Sequence, residues 1–250
     1  MNRIALNDVH FGYPGGEAVL NGLTLDFLEE EIILLLGQNG AGKSTLLKLL
    51  NGILKPQSGK VIVNGHDTAM IPTAELARDI SITFQNPGDQ LFASTVREEV
   101  SFAPKNLRRS NIAELVEKSL NLFALTPYAH NHPYDLHLAQ RKLITLASAF
   151  AADTPFLAFD EPSASLSQVE RSLIHAVIAA SLSERKTLLI ISHDLECFLP
   201  LATRLLILHE GRISFDGTPD EILQRQHLLR HTGIRIPLTL RLNKILEDSL

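Results

Sequence analysis

Cysteine is almost absent from this chain. Cys197 is the only one in 250 residues, so neither an intrachain disulfide nor a cysteine-based zinc site can form. Basic residues are not in excess: 23 Lys and Arg stand against 28 Asp and Glu, a formal net charge of -5. A nucleic-acid footprint needs clustered Lys and Arg. The pair Arg108-Arg109 reads as a solvated loop, so no nucleic-acid partner is expected. No run approaches the 18 consecutive apolar residues of a membrane-spanning helix. The opening residues Met1-Asn2-Arg3-Ile4 lead straight into strand-like alternation and lack the pattern of a signal peptide. A soluble cytoplasmic protein is expected, which still permits binding to a membrane protein. The length suits one large α/β domain, or a core with an inserted subdomain, and the 45% hydrophobic content can fill it.

What is present is organised around Gly37-Gln38-Asn39-Gly40-Ala41-Gly42-Lys43-Ser44, the spacing of a phosphate-binding P-loop. Ile32 to Leu36 before it is an all-apolar run suited to a strand buried on both faces, and Thr45 to Asn51 after it reads as a helix stopped by Gly52. The bare pattern arises by chance in a chain this long about one time in a hundred, and the flanking strand and helix lower that further. Gly40 and Gly42 let the backbone turn its N–H groups toward phosphate oxygens. The helix N-terminus adds positive potential, Lys43 reaches the β- and γ-phosphates, and the Ser44 hydroxyl can ligate Mg2+.

Further along, residues 3 to 11, Leu20 to Phe27 and Lys60 to Asn64 read as strands of a small antiparallel sheet beside the core. Ile80 to Phe84 is another strand, ending at Gln85 and the Asn86-Pro87-Gly88 loop. The pattern then turns helical. Thr95-Val96-Arg97-Glu98 is a capping box, residues 111 to 125 carry helical apolar spacing, and Leu143 to Phe150 continues it. This helical region, about residues 86 to 154, reads as a subdomain inserted into a domain spanning 1 to 225. Phe156 to Phe159 is a buried strand that delivers Asp160 and Glu161 at its C-terminal end, where open parallel sheets place ligand sites. A helix over 168 to 183, a strand over Thr187 to Ile191 ending in Ser192-His193-Asp194, and strands over Arg204 to His209 and Arg212 to Asp216 follow. Thr218-Pro219-Asp220-Glu221 opens a helix. Residues 226 to 250 form an extension with Leu238, Leu242, Ile245 and Leu246 on one helical face, the spacing of core or interface.

A nucleoside triphosphate on Mg2+ needs a phosphate cradle, a carboxylate for the metal and a group that orients water. Asp160 is placed to hold Mg2+, directly or through water, and Glu161 to polarise the attacking water. His193, at the end of the next core strand, is placed to sense the γ-phosphate. Gln85, also at a strand end, can contact Mg2+ or water. Tyr13 either stacks on an adenine ring or packs its own turn. His130, His132 and His137 invite a metal reading, but they lie in a Pro- and Asn-bearing loop with no cysteine, and no metal site is expected there.

Over nearly its whole length the chain resembles the ATP-binding subunits of ABC transporters. The resemblance rests on Tyr13, the Walker A loop from Gly37 to Thr45, the Q-loop Gln85, the Walker B pair Asp160 and Glu161, and the switch His193. Phe84-Gln85-Asn86-Pro87-Gly88-Asp89-Gln90-Leu91-Phe92 and Thr95-Val96-Arg97-Glu98-Glu99-Val100 are similar to the energy-coupling factor and cobalt-type importer ATPases; Gly233-Ile234 and Pro237 carry the same likeness more weakly. The resemblance implies an α/β P-loop core with an antiparallel β subdomain and an inserted α-helical subdomain. It also implies ATP and Mg2+ as cofactors, with each ATP held between one chain's Walker A and its partner's signature motif. Two ATPase subunits would then sit at the cytoplasmic face of the membrane. There they would drive a transmembrane coupling protein and a substrate-binding membrane subunit, for uptake of a vitamin or metal ion.

One element departs from that family. Its signature reads Leu-Ser-Gly-Gly-Gln, and this chain has Leu136-His137-Leu138-Ala139-Gln140. His137 replaces the hydroxyl, and Leu138 and Ala139 put side chains where the backbone would approach a phosphate. The arginine often found further along that helix is Leu143, and the Leu-Asp of the D-loop is Leu166-Ser167, with Ser167 opening a capping box through Glu170. The expectation is a heterodimer in which this chain's complete half-site meets an intact signature on a different ATPase subunit. The alternatives are a soluble ABC ATPase outside transport, and a regulatory ATP-binding subunit with little hydrolysis.

Overall fold

The computed structural model describes residues 4–234. Met1-Asn2-Arg3, Pro237 and the expected apolar face of Leu238, Leu242, Ile245 and Leu246 lie outside the described residues. In chain order the elements are β1 (Ile4–Gly12), β2 (Ala18–Phe27), β3 (Ile32–Leu36), α1 (Lys43–Leu50), β4 (Ser58–Val63), β5 (His66–Asp67), α2 (Thr73–Leu76), β6 (Ile80–Thr83), α3 (Val96–Asn106), α4 (Ile112–Leu122) and α5 (Leu138–Ala151). The second half continues with β7 (Phe156–Asp160), α6 (Gln168–Ser183), β8 (Thr187–Ile191), α7 (Leu195–Phe198), β9 (Arg204–His209), β10 (Arg212–Gly217), α8 (Pro219–Gln224) and α9 (Gln226–His231).

Two sheets form. One is antiparallel in the order β2-β1-β4-β5; the other has the order β10-β9-β3-β8-β7-β6, parallel except for the β9–β10 pair. The three central strands β3, β7 and β8 are buried at every residue, as unbroken apolar runs of a two-sided parallel sheet must be.

Their side chains alternate between two cores. Ile32, Leu34 and Leu36 join Leu157, Phe159, Leu188 and Ile190 on the face covered by the helices α3 to α6, whereas Ile33 and Leu35 join Ala158, Leu189 and Ile191 on the face that carries α1 and the antiparallel sheet. This parity decides where the chemistry goes. Asp160 follows Phe156 and Ala158 at period two, so it points to the face that carries α1.

The helical arm is α3, α4 and α5 packed on one another. Its centre includes the fully buried Phe123, edge to face with Phe150 at a centroid distance of 6.3 Å. The Thr95–Glu98 capping box opens α3 as its spacing requires, and the Ser167–Glu170 and Thr218–Glu221 boxes open α6 and α8. The chain is an α/β P-loop core with an antiparallel β subdomain and a helical insertion.

Three local readings need correction, and three short elements were not foreseen. The sixth strand stops at Thr83 rather than Phe84, because the Phe84 N–H donates to Gln90 Oε1 and its carbonyl accepts from Lys142, which takes both groups out of the ladder. Helix α1 starts at Lys43, two residues before the expected Thr45. Helix α5 starts at Leu138, five residues before Leu143, because His137 caps it. The elements β5, α2 and α7 are too short for any periodicity to announce them.

Candidate functional site

The loop between β3 and α1 curls over the C-terminal edge of the parallel sheet. Gly37 runs against β9: a Cβ there would lie 2.4 Å from the Leu208 carbonyl oxygen, so only glycine lets the loop pass. Gly42 caps α1 at φ 105°, a left-handed conformation, and a Cβ there would stand 2.8 Å from Leu20 Cδ2. No side chain caps this helix and its first turn carries no acid, so its N–H groups and positive end face the cleft unopposed.

Lys43 folds back over its own loop, its Nζ donating to the Gly37 carbonyl at 2.6 Å and the Gln38 carbonyl at 3.0 Å. Burial lowers its pKa, against the opposing pull of Glu161 and Asp160. Ser44 Oγ donates to Asp160 Oδ2 at 2.9 Å, the contact that strand parity requires. Desolvation raises the Asp160 pKa, while the Ser44 bond and then Lys142, Lys43 and His193 act the other way.

Glu161 leaves β7 at φ 49°, an uncommon conformation for a side-chain-bearing residue. Its N–H donates to the Ile191 carbonyl, and its Oε2 accepts from Ser192 Oγ at 3.3 Å and from the His193 N–H at 3.4 Å. His193 Nε2 stands 3.5 Å from Glu161 Oε1. The unusual backbone thus turns the carboxylate toward the end of β8 and the histidine.

These groups surround one open cleft of about 630 Å³, whose lining includes Asn39, Gly40, Gly42, Lys43, Ser44 and Thr45. Tyr13, Gln85, Asp160, Glu161 and His193 complete its walls, together with Val19 and Ala164, which the sequence does not mark. Tyr13 stands at the rim, its hydroxyl 3.3 Å from Thr45 Oγ1 and its ring edge-on to Phe11. Gly37 and Gln38 face a neighbouring cleft of about 470 Å³ that shares Asn39 and His193 and is closed by Gly233 and Ile234. Ala41 is buried beneath the loop.

His137, Leu138, Ala139 and Gln140 do not line either cleft. They form the start of α5, where His137 Nδ1 accepts from the Gln140 N–H and Gln140 Oε1 accepts from the His137 N–H, both at 3.3 Å. His137 therefore caps the helix as a serine would, and Leu138 is 47% exposed on the first turn. His132 Nδ1 accepts from the Tyr134 N–H, closing a separate turn.

Besides Val19 and Ala164, a buried residue behind the cleft escaped sequence reasoning. Lys142, on the inward face of α5, donates to the carbonyls of Phe84, Gln85 and Asp160. Burial pushes its pKa down to about 8, with Asp160 and Glu161 pulling it back up. A lysine set directly before buried Leu143 and Ile144 was the available signal.

The chain as a whole is similar to proteins of known family and structure. The sequence model of the family described as ABC transporter matches residues 20–164. The energy-coupling factor transporter ATP-binding protein EcfA of Methanothermobacter thermautotrophicus is 35% identical, covering 94% of this chain and 77% of the relative. Its namesake in Methanocaldococcus jannaschii is 32% identical, covering 100% of this chain and 91% of the relative. Among solved structures, CbiO1 of Clostridium perfringens, described as part of the ABC transporter complex CbiONQ, aligns with a TM-score of 0.77 at 27% identity over 98% of both chains.

Proposed function

The chain belongs to the ABC transporter family of ATP-binding proteins, on the energy-coupling factor side of it, and from that premise we propose that it supplies the ATP-holding and water-activating half of a composite site shared with a second ATPase subunit. Family membership carries ATP binding and ATPase activity coupled to transport. The observation that supports the finer reading is the convergence of Lys43, Ser44, Asp160, Glu161 and His193 on one cleft at the C-terminal edge of the parallel sheet.

In this reading the triphosphate lies along the N-terminus of α1, and the Lys43 ammonium exchanges two loop carbonyls for β- and γ-phosphate oxygens. Thr45 and the backbone of Gly37 to Gly42 cradle the phosphates, and Tyr13 stands where an adenine ring can stack. Ser44 and Asp160 already place a hydroxyl and a carboxylate oxygen 2.9 Å apart, and Gln85 adds an amide to the same wall. One carboxylate with neutral oxygens is the donor set of Mg2+ held jointly with phosphates. When bound, Mg2+ neutralises charge on the β- and γ-phosphates. Glu161, held by Ser192 and the His193 N–H, orients and deprotonates the attacking water, and His193 reads the γ-phosphate.

The partner wall of the site comes from an intact signature on a different ATPase subunit, because the exposed Leu138 side chain stands on the first turn of this chain's α5, where a signature presents bare backbone. The assembly would act at the cytoplasmic face of the membrane on a transmembrane coupling protein and a substrate-binding subunit, importing a vitamin or metal ion. No helix among the described residues is long and apolar enough to cross a membrane. Residues 1–225 act as the ATPase domain, with about 86–154 as its helical arm, and 226–250 as an extension at an interface. A second reading, an ATP-binding regulatory subunit with little turnover, is favoured by the altered signature alone.

Glu161→Gln separates the two. In the assembled complex it should lower turnover by about 10²- to 10⁴-fold while ATP still binds. Unchanged hydrolysis would remove Glu161 from the water-activating role and favour the regulatory reading.

A further inference from the structure

Lys142 carries a positive charge into the protein interior without meeting a side-chain partner. It is 2% exposed. Its Nζ donates to three main-chain carbonyls, Phe84 at 3.2 Å, Gln85 at 3.0 Å and Asp160 at 3.0 Å. An ammonium has three N–H donors and no acceptor, so this tripod satisfies it completely.

The three carbonyls belong to two different segments of the cleft, and the lysine belongs to a third. Phe84 and Gln85 begin the loop that leaves β6, Asp160 ends β7, and Lys142 sits four residues past the start of α5. A methionine would fill the same space without desolvating a charge, and buried charges are costly unless fully bonded. What the ammonium does that a thioether cannot is hold three backbone segments at fixed separation. The charge is tolerated because Asp160 and Glu161 lie within electrostatic reach. The arm meets the same region at further points, with no other hydrogen bond to Gln85 among the described residues: the Tyr134 hydroxyl lies within hydrogen-bond distance of the carbonyls of Gly88 and Leu91, and α5 packs against residues 87–89, β6 and β7.

We propose that Lys142 is a positioning residue that joins the first turns of α5 to the Gln85 loop and the Asp160 end of β7, so that occupancy of the cleft is felt at the α5 N-terminus. This rests on the cleft being the nucleotide site. The lysine is not part of the cleft lining; it acts through the Gln85 and Asp160 backbone. Because α5 begins directly after its cap His137, the same tripod links this chain's own phosphate site to the residues that stand where a signature would meet the partner's site.

Amide hydrogen exchange on the full chain, with and without Mg2+ and the non-hydrolysable analogue AMP-PNP, tests it. In the wild type the analogue should slow exchange by at least about fivefold both in residues 37–45 and in residues 137–143. In Lys142→Met the slowing at 37–45 should persist and that at 137–143 should disappear. Lys142→Gln, which keeps two donors, should fall between. Equal slowing at 137–143 in the methionine variant and the wild type overturns the proposal. If the methionine variant does not melt cooperatively, equal slowing in the glutamine variant and the wild type does so instead. Absence of slowing at 37–45 in the wild type would strike the nucleotide site itself, a separate failure.

Discussion

Restoring the signature tests the composite-site reading from this chain's side. The change is His137→Ser with Leu138→Gly and Ala139→Gly. Serine is among the best N-cap residues and keeps the box with Gln140, whose present bonds are long at 3.3 Å, so the cap is retained or gains a few tenths of a kcal/mol. Two glycines in the first turn cost up to about 1 kcal/mol each in helix propensity. Leu138 is 47% exposed and forfeits little more than about 1 kcal/mol of burial. The net loss is about 3 kcal/mol, against a stability of roughly 5–15 kcal/mol for a folded domain. A domain of this size should melt about 6–12 °C lower and stay folded. Each backbone donor freed toward a partner's phosphate is of the class that contributes about 10²- to 10³-fold to rate. The purified triple variant should therefore hydrolyse ATP at least about tenfold faster than the wild-type chain at equal concentration, with nucleotide affinity within about threefold. A folded variant with no gain in turnover would refute the argument that the first turn of α5, with Leu138 exposed on it, blocks phosphate approach.

Two further outcomes follow from local geometry. Gly42→Ala forces an alanine into a left-handed conformation costing about 1–2 kcal/mol and presses a Cβ against Leu20 Cδ2; calorimetric titration should show ATP affinity lowered by about tenfold, and unchanged affinity would mean the loop relaxes freely. Cys197 is 9% exposed, and burial, reinforced by Asp194, pushes its thiol up to about 11; it should resist a thiol-directed disulfide reagent in the native state and react fully in denaturant, and immediate native reaction would contradict the burial.

How much of this was legible in the sequence depends on the residue. The strands β3, β7 and β8 could be read to the residue or nearly so, because a strand buried on both faces is an unbroken apolar run bounded by polar groups. Capped helices announced themselves through Thr95, Ser167 and Thr218, each with a glutamate three residues on. The start of α5 did not, because histidine is an unusual cap and its Nδ1 role exists only in three dimensions. The phosphate loop, Asp160, Glu161, Gln85, His193 and Tyr13 stand around one cleft, yet their convergence depends on strand order, which no local pattern encodes. Lys142 left only a faint trace, a lysine beside buried Leu143 and Ile144, because its partners are main-chain carbonyls and those carry no residue identity.

The most direct measurement is steady-state ATP hydrolysis by the purified full-length chain, alone and after mixing with an energy-coupling factor ATPase subunit that carries an intact signature. If this chain holds one complete half-site and lacks the other, it should turn over slowly alone at any concentration and accelerate by at least about tenfold on mixing. That acceleration should be lost when the mixed-in chain's signature is altered. Robust turnover by the chain alone, unchanged on mixing, would contradict it.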